Sequence, residues 1–460
     1  MRERLAQVGI TRGVLAVCLL WLVAAGPIVA DMTAQGAPRF AFAGAVVDDR
    51  AIKLDGYLVG YDKAERDGHV YSDKAPGQQV LSVPFYAAAR AAGAEPASVP
   101  RVEGNLSLWW VTFWTAGVPL RAIICMTAVA AWRRGSPIPV PALVGLSFGT
   151  MLLPHSVNLY GHVLGAALGF AAWLVLDRPG GSWRSGAAAG ALAGSAVAVE
   201  YPLAVVAMVL GIWLLARGRW AQALAFALAG APFAIAVGTY QAVAFGSPFS
   251  SGYTDKEPLA ESTVLVTGIP NPITLLQVLV GARGLLVFMP IVAVGIYGLF
   301  RRWFETRDDG AVVALAVVGG VLLVQAGWSN PWGGDSAGPR YVTPMLPFLA
   351  VGLSTAWASV PPRLRRLVLG VSLTSMVLPT ITLHLVNEGA VLISGSIAKL
   401  VDNGLNPTVW SLAFGWLGTS VWAVTSGAAI WHLCRVVAET DVATTAQPGE
   451  AAPLVGDPKS

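Results

Sequence analysis

The sequence predicts an all-α polytopic membrane protein with about twelve transmembrane helices. Its 460 residues are 55% hydrophobic and only 12% charged, and the mean hydropathy is +0.62, whereas soluble domains carry roughly 25% charged residues. Apolar runs recur along most of the chain, and a helix is the structure that satisfies its own backbone groups in hydrocarbon. This composition excludes a soluble globular enzyme.

The first apolar run covers residues 13–30 and follows a basic flank. Such a flank is typical of a signal peptide, but Ile28-Val29-Ala30 does not form a small-x-small cleavage site. We therefore predict a retained membrane anchor after a cytoplasmic N-terminus at residues 1–12.

The other apolar runs predict further spans, some short enough to lie tilted or between neighbouring helices. They cover residues 108–132, 140–153, 159–176, 186–199, 203–215, 221–243, 285–300, 311–326, 344–358, 367–385 and 409–433. Together they define a transmembrane domain over residues 13–436. Residues 437–460 are small and polar, which predicts a disordered cytoplasmic tail.

Arginine residues mark every second boundary between these runs. They are Arg133, Arg134, Arg178, Arg184, Arg217, Arg219, Arg301, Arg302, Arg307, Arg363, Arg365, Arg366 and Arg435. Because short cytoplasmic loops carry the excess of basic residues, we predict a plasma-membrane protein with both termini in the cytoplasm. The opposite loops, of which residues 31–106 are the longest, then face outward.

The sequence contains no pattern typical of several other classes of function. The three cysteines lie inside apolar runs, so neither a disulfide framework nor a thiolate metal cluster is predicted. The arginines are scattered and form no dense basic cluster, so the sequence predicts no surface that binds nucleic acid. The chain shows no Walker signature and no strand, glycine-rich turn and helix unit, which argues against a nucleotide donor. The partner that remains is the lipid bilayer.

The first outer loop is the main candidate for function, because loops of this length are uncommon unless they are functional. Its segment 68–77 contains His69, Tyr71, Asp73 and Lys74 and precedes a predicted interfacial helix over 80–92. An ammonium at headgroup depth suits a lipid phosphate. The alternative for Lys74 is a lysine that snorkels to the interface.

A later outer segment combines Trp328, Trp332, Asp335 and Arg340. Tryptophan faces stack on sugar C–H surfaces, while Asp and Arg bind hydroxyl and phosphate groups. The alternative is an aromatic belt at the membrane interface.

Charged residues within or beside the spans are costly in lipid and are functional candidates by default. Arg121, Arg283 and Glu200 are of this kind. His155 and His162 lack a carboxylate at metal-binding spacing, so they are expected to cap or pack, and no metal site is predicted.

Four stretches, over most of the chain to about Tyr341, resemble the polytopic polyprenyl-phosphate-sugar glycosyltransferases of the GT-C superfold. That group includes the lipid A aminoarabinose transferase, the protein O-mannosyltransferases and the actinobacterial mannosyl- and arabinosyltransferases. The stretches are residues 38–49, residues 71–77, residues 282–286 with Pro290, and residues 332–341 with Pro347. The resemblance implies a GT-C-like bundle whose long first outer loop carries short interfacial helices.

The resemblance also identifies one departure. The family usually places an acidic pair shortly before an Arg-Tyr, but here Arg39-Phe40 follows Gln35-Gly36-Ala37-Pro38. Either Asp31, Asp62 or Asp73 replaces that catalytic base, or the chemistry is altered or lost. Lys74 corresponds to the lysine of the family's later Lys-Pro motif, which implies a contact with the donor phosphate.

The implied activity is transfer of a sugar, with inversion, from a polyprenyl-phosphate donor to a hydroxyl of a glycan, lipid or protein acceptor. Donor-phosphate ligands would be Lys74, Arg39, Arg283 and Arg340, and sugar or acceptor contacts would come from Tyr71, His69, Trp328, Trp332 and Asp335. Some family members bind a divalent cation through paired acids. That role is open to Asp48 and Asp49, for which the alternative is a helix-terminal charge pair; no other cofactor is implied.

Two other functions are compatible with the sequence. A transporter or lipid flippase is compatible with about twelve spans and with a charge such as Arg121 inside one. Its two halves would be expected to match, and no second copy of the long first loop is present. A catalytically inactive scaffold that keeps the glycosyltransferase architecture would explain the missing acid.

Overall fold

The computed structural model describes residues 2–60, 62–178, 180–252, 268–328, 330–382 and 391–445. The first half consists of α1 (Arg2–Leu20) with a π-helical turn (Trp21–Ala25), α2 (Gly36–Gly44) with a π-helical turn (Ala45–Asp49), β1 (Lys63–Arg66), β2 (His69–Ser72), α3 (Pro76–Ala91), α4 (Leu106–Thr112) with a π-helical turn (Phe113–Gly117), α5 (Val118–Trp132), α6 (Val140–Phe148), α7 (Leu152–Ser156), α8 (Gly161–Leu176), α9 (Trp183–Val199), a 3₁₀ turn (Tyr201–Leu203), α10 (Ala204–Ala216) and α11 (Trp220–Phe245).

The second half is also helical. It consists of α12 (Pro272–Val280), α13 (Leu285–Phe288), α14 (Ile291–Thr306), α15 (Asp309–Ala326), a 3₁₀ segment (Arg340–Phe348), α16 (Leu349–Ala356), a 3₁₀ turn (Trp357–Ser359), α17 (Pro362–Ile381), α18 (Leu392–Asn403) and α19 (Val409–Thr445), which is kinked at Gly415.

The chain is an all-α multi-pass membrane protein. Among the described residues, six helices are long and apolar enough to cross a bilayer, and three shorter apolar helices accompany them. A seventh span is counted if Pro272–Phe288 and Ile291–Thr306, which meet at 94°, form one broken span. The bend lies at Pro290, where a missing backbone N–H interrupts the helix. Every predicted apolar run overlaps a helix, although several of these helices are too short to cross alone.

The tail differs from the expectation. Helix α19 continues to Thr445, so residues 437–445 are helical and not the start of an unfolded tail. The remainder of the expected tail, from residue 446, lies outside the described residues.

Glycines let two pairs of helices approach closely. A Cβ at Gly186 or Gly190 in α9 would overlap the backbone of Gln222 or Phe226 in α11. A Cβ at Gly352 in α16 would overlap the carbonyl oxygen of Gly295 in α14. Without a hydrophobic driving force between helices in lipid, such backbone proximity is a main source of packing energy. The Gly186 and Gly190 pair therefore serves packing within this chain.

Ion pairs join the helix ends at one face of the bundle. Arg134, at the end of α5, contacts Asp177 after α8 at 2.7 Å and Asp308 before α15 at 3.0 Å. Arg302 of α14 also pairs with Asp308, and Arg217 pairs with Asp309. The boundaries that bear Arg134, Arg217 and Arg302 thus meet at the same face.

Arg121 of α5 lies between two aromatic rings. Its guanidinium carbon is 4.8 Å from the ring centroid of Trp21 and 4.7 Å from that of Phe113. These cation–π contacts lower the cost of placing a charge inside a span.

Replacing Gly352 by alanine tests the α14–α16 contact. We expect the Gly352→Ala variant to lose thermal stability in detergent, with overpacking costing roughly 1–3 kcal/mol, because the new methyl group would overlap the α14 backbone. The matched control is Gly319→Ala on α15, where a Cβ meets nothing within 4 Å. Equal melting temperatures for both variants would contradict the packing described here.

Candidate functional site

A β-hairpin places two carboxylates opposite each other. Strands β1 and β2 are antiparallel and pair Lys63 with Ser72 at their open end, so Asp62 and Asp73 occupy the next opposed positions. Asp67 and Gly68 form the connecting turn, and both have positive φ values (52° and 75°), as a two-residue type I′ turn requires. Like charges in opposed positions destabilise a strand pair, so this arrangement needs a compensating cation.

Lys74 supplies that cation. Its side chain is 3% exposed, and its Nζ lies 3.0 Å from Asp62 Oδ2 and 3.2 Å from Asp73 Oδ1. The Asp73 side chain is fully buried, whereas that of Asp62 is 21% exposed. Lys74 precedes α3, whose first residue is Pro76. The hairpin and α3 together fix this charged group.

Opposing effects set the pKa of Lys74. Burial and the neighbouring Arg39 guanidinium lower this pKa, but the carboxylates of Asp62 and Asp73 raise it by more. The net pKa therefore lies above the ordinary value of 10.5. The side chain is therefore a permanent ammonium at physiological pH.

A second buried ion pair lies beside the first. Arg39 of α2 is fully buried, and its Nη2 donates to Glu200 Oε1 at 2.7 Å. Its Nη1 donates to the backbone oxygen and to Oε1 of Gln35, at 2.7 and 2.9 Å. Gln35 thus occupies the stretch in which the resemblance places the acidic pair, and Glu200, which follows α9, neutralises Arg39.

The segment before α16 brings a third cation into this group. Arg340 lies 5.0 Å over the ring of Tyr341, and its Nη2 donates to the Tyr341 hydroxyl at 2.9 Å. Trp328 also stacks on this tyrosine, with ring centroids 4.0 Å apart. Electrostatic interactions connect Arg340 with Asp62, and Lys74 with both Arg39 and Tyr341. Three cations and three carboxylates therefore share one buried region.

Arg283 lies beneath the loop that leads to Arg340. It is fully buried, and its Nη1 donates to the backbone oxygen of Ser336 at 2.7 Å. Trp332 also belongs to this loop, and its carbonyl accepts a hydrogen bond from the Arg340 N–H at 3.2 Å. Both residues hold the loop in place.

Two predicted residues lie beside a different lysine. Asp31 and Asp335 both interact electrostatically with Lys399 of α18, and Asp335 is exposed. Burial, together with repulsion from Glu103, raises the pKa of Asp31. The structure thus groups Asp62 and Asp73, but not Asp31, around Lys74.

His69 and Tyr71 support the hairpin. The partly exposed His69 places Nδ1 2.7 Å from Asp55 Oδ2, and the Val70 N–H donates to Asp55 Oδ1 at 2.8 Å. Tyr71 is buried edge to face against Phe245. These contacts place Tyr71 in the core under the hairpin.

Asp48 and Asp49 bind separate partners. Asp48 accepts hydrogen bonds from the Tyr86 hydroxyl at 2.6 Å and from Arg90 Nε at 2.9 Å. Asp49 accepts one from the Tyr57 hydroxyl at 2.6 Å. Across the described ranges, no group of three or more His, Cys, Asp or Glu side chains is arranged to hold a metal.

Sequence reasoning gave no catalytic or binding role to the histidine cluster. The rings of His155 and His162 lie 4.9 Å apart, and His162 packs against Tyr160 and Tyr341. Arg39, Lys74 and Arg340 all act on His162 electrostatically. A histidine in the first turn of an apolar helix gives little sequence signal, because its neighbours come from distant parts of the chain.

Solved structures provide an independent comparison. Two crystal structures of ArnT from Cupriavidus metallidurans, one bound to undecaprenyl phosphate and one in the apo state, superpose with TM-scores of 0.55 and 0.53. The alignments cover 92% and 94% of this chain and 75% and 76% of ArnT, in each case at 13% sequence identity. The chain has a GT-C-like fold. No protein-family model and no curated protein matches the sequence.

The Arg39–Glu200 pair gives a stability prediction. Removing one partner of a buried ion pair leaves an uncompensated charge, at a cost of about 3–5 kcal/mol, so Glu200→Ala should lower the melting temperature strongly. The control is Glu95→Ala, which breaks an exposed pair with Arg101 and should cost at most about 1 kcal/mol. Similar losses in the two variants would show that burial does not strengthen the Glu200 contact.

The raised pKa of Lys74 gives a pH prediction. A lysine whose folded-state pKa exceeds its unfolded value contributes stability that is complete below pH 10.5 and is lost as the pH rises through the folded-state pKa. The difference in melting temperature between wild type and Lys74→Ala should therefore stay constant from neutral pH to 10.5 and narrow above it. Narrowing below pH 10.5 would contradict the assigned shift.

Proposed function

We propose that the protein is a membrane glycosyltransferase that moves a sugar, with inversion, from a polyprenyl-phosphate donor to an acceptor hydroxyl on the extracytoplasmic face. The observation that carries the proposal is the Lys74 ammonium, buried between Asp62 and Asp73 in a chain with a GT-C-like fold. The likeness to ArnT bound to undecaprenyl phosphate supports a lipid phosphate as the ligand.

The phosphate would be bound by the three cations. In the described parts of the chain, Arg39 Nε and Arg340 Nε are buried without a hydrogen-bond acceptor, and such groups usually mark a missing partner. Phosphate oxygens would accept from both N–H groups, while Lys74 would add a compact positive charge. The same cations would stabilise the charge that develops on the phosphate as the sugar leaves.

The base would be Asp62. An acceptor enters from outside the protein, and the Asp62 side chain is 21% exposed, whereas that of Asp73 is fully buried. The acceptor oxygen would attack the anomeric carbon and lose its proton to Asp62. The bond between the anomeric carbon and the phosphate oxygen would break, and its electron pair would remain on the polyprenyl phosphate. Asp73 would then act as a positioning residue for Lys74.

The orientation in the membrane supports an outer-face site. The arginine-rich boundaries meet through Arg134, Asp177 and Asp308, and basic loops are cytoplasmic by the positive-inside rule. The long segment with the hairpin and α3 belongs to the opposite set of loops. We infer that the transmembrane domain covers residues 13–436 and that the donor binds at its outer rim in the plasma membrane.

Substitutions at Asp62 and Lys74 test this assignment. Asp62→Asn should lower the transfer of radiolabelled sugar from a polyprenyl-phosphate donor by roughly 10²- to 10⁴-fold, the usual contribution of a general base, while donor binding persists. Lys74→Met should lose donor binding itself, because it removes the ammonium held between the two carboxylates.

The control is Lys53→Met, an exposed lysine in the same outer segment, which should retain transfer. Wild-type transfer by the Lys74→Met variant would overturn the donor site. Solute uptake into proteoliposomes that is insensitive to both site variants would instead support a transporter.

A further inference from the structure

Two buried hydrogen-bond acceptors beside the cations have no donor in the described chain. They are His162 Nε2 and Gln78 Oε1, and both side chains are at most 2% exposed. Phosphate oxygens only accept hydrogen bonds, so a bound phosphate would leave these two atoms unsatisfied. An additional group that donates hydrogen bonds is needed.

The chemical state of each atom follows from its neighbours. Gln78 donates through Nε2 to the carbonyl oxygen of Tyr160 at 3.0 Å, which fixes the amide orientation and leaves Oε1 as the acceptor. His162 places Nδ1 3.7 Å from Glu200 Oε1. This separation is beyond hydrogen-bond distance, but the nearby carboxylate charge favours the proton on Nδ1. Nε2 then presents a lone pair.

The two acceptors belong to one small region. Tyr160, whose carbonyl binds Gln78, directly precedes α8, and His162 lies in the first turn of that helix. The ring of His162 packs 5.7 Å from that of Tyr160. Arg39, Lys74 and Arg340, the three cations of the donor site, all act on His162 electrostatically.

We propose that His162 and Gln78 form a subsite that receives hydroxyl groups of a neutral sugar on the lipid-phosphate donor. The proposal rests on the proposed function and adds the class of sugar. Hydroxyl groups can donate to both acceptors without adding charge. An amino sugar could also donate. The carboxylates of the region are already paired, however, with Lys74 and Arg39, and the charges that act most on His162 are the three cations, so an added ammonium there is disfavoured relative to a neutral hydroxyl.

Binding of short-chain probes to the detergent-purified full chain tests the subsite. The probes are farnesyl phosphate, farnesyl-phosphoryl-mannose, farnesyl-phosphoryl-arabinose and farnesyl-phosphoryl-4-amino-4-deoxyarabinose. At least one neutral sugar should bind wild type about tenfold more tightly than farnesyl phosphate, as expected for newly satisfied buried acceptors. The amino sugar should show no such gain.

Two variants assign the gain to the two acceptors. His162→Phe and Gln78→Met should lose most of the preference for the neutral sugar and keep their affinity for farnesyl phosphate, which also reports an intact fold. His432→Phe, an exposed histidine of α19, is the matched control and should keep the preference.

The outcomes distinguish a failure of the proposed function from a failure of the proposed sugar subsite. If farnesyl phosphate fails to bind wild type, or if Lys74→Met leaves its binding unchanged, the proposed function is wrong. If farnesyl phosphate binds through Lys74 but neither neutral sugar adds affinity, the subsite is wrong. A gain that survives both His162→Phe and Gln78→Met, or one that is larger for the amino sugar, overturns the subsite as well.

Discussion

The burial of the Lys74 ammonium is the constraint on which the proposed site depends. A charged group inside a protein is tolerated when paired, and here the pairing requires two carboxylates, one beside each strand at the open end of a hairpin. The strand register sets that approach, since Lys63 pairs with Ser72 and therefore places Asp62 opposite Asp73. Helix α3 and the neighbouring Arg39–Glu200 pair then close the region around a fixed positive charge.

The sequence analysis named Lys74 as a candidate phosphate ligand, and Asp62 and Asp73, together with Asp31, as candidate bases, because charged residues stand out in a membrane protein with few charges. It also located the apolar helices, because a run that is apolar over its whole length is recognised as a helix in a membrane without any helical periodicity. It did not identify the partnership of Arg39 with Glu200, which are 161 positions apart, or the acceptors of Gln78 and His162. These depend on tertiary packing that no local pattern records. Asp31 and Asp335 were plausible by type, but the fold places them beside Lys399.

The opposite face of the bundle shows a different use of charge. Arg134 contacts Asp177 and Asp308 at 2.7 and 3.0 Å, with side chains no more than 16% exposed. In the sequence these arginines served only to predict orientation, yet they also join the ends of α5, α8 and α15. A face tied by partly buried ion pairs is costly to open, which favours a site that is reached from the hairpin side.

The type I′ turn at Asp67 and Gly68 has a consequence for recognising distant relatives. Because strand side chains alternate between faces, adding or deleting a single residue in this turn would send Asp62 to the wrong side of the hairpin. The interval between Asp62 and Lys74 should accordingly tolerate changes of amino acid far better than changes of length. A fixed number of residues between these two positions would then indicate common ancestry better than sequence identity does.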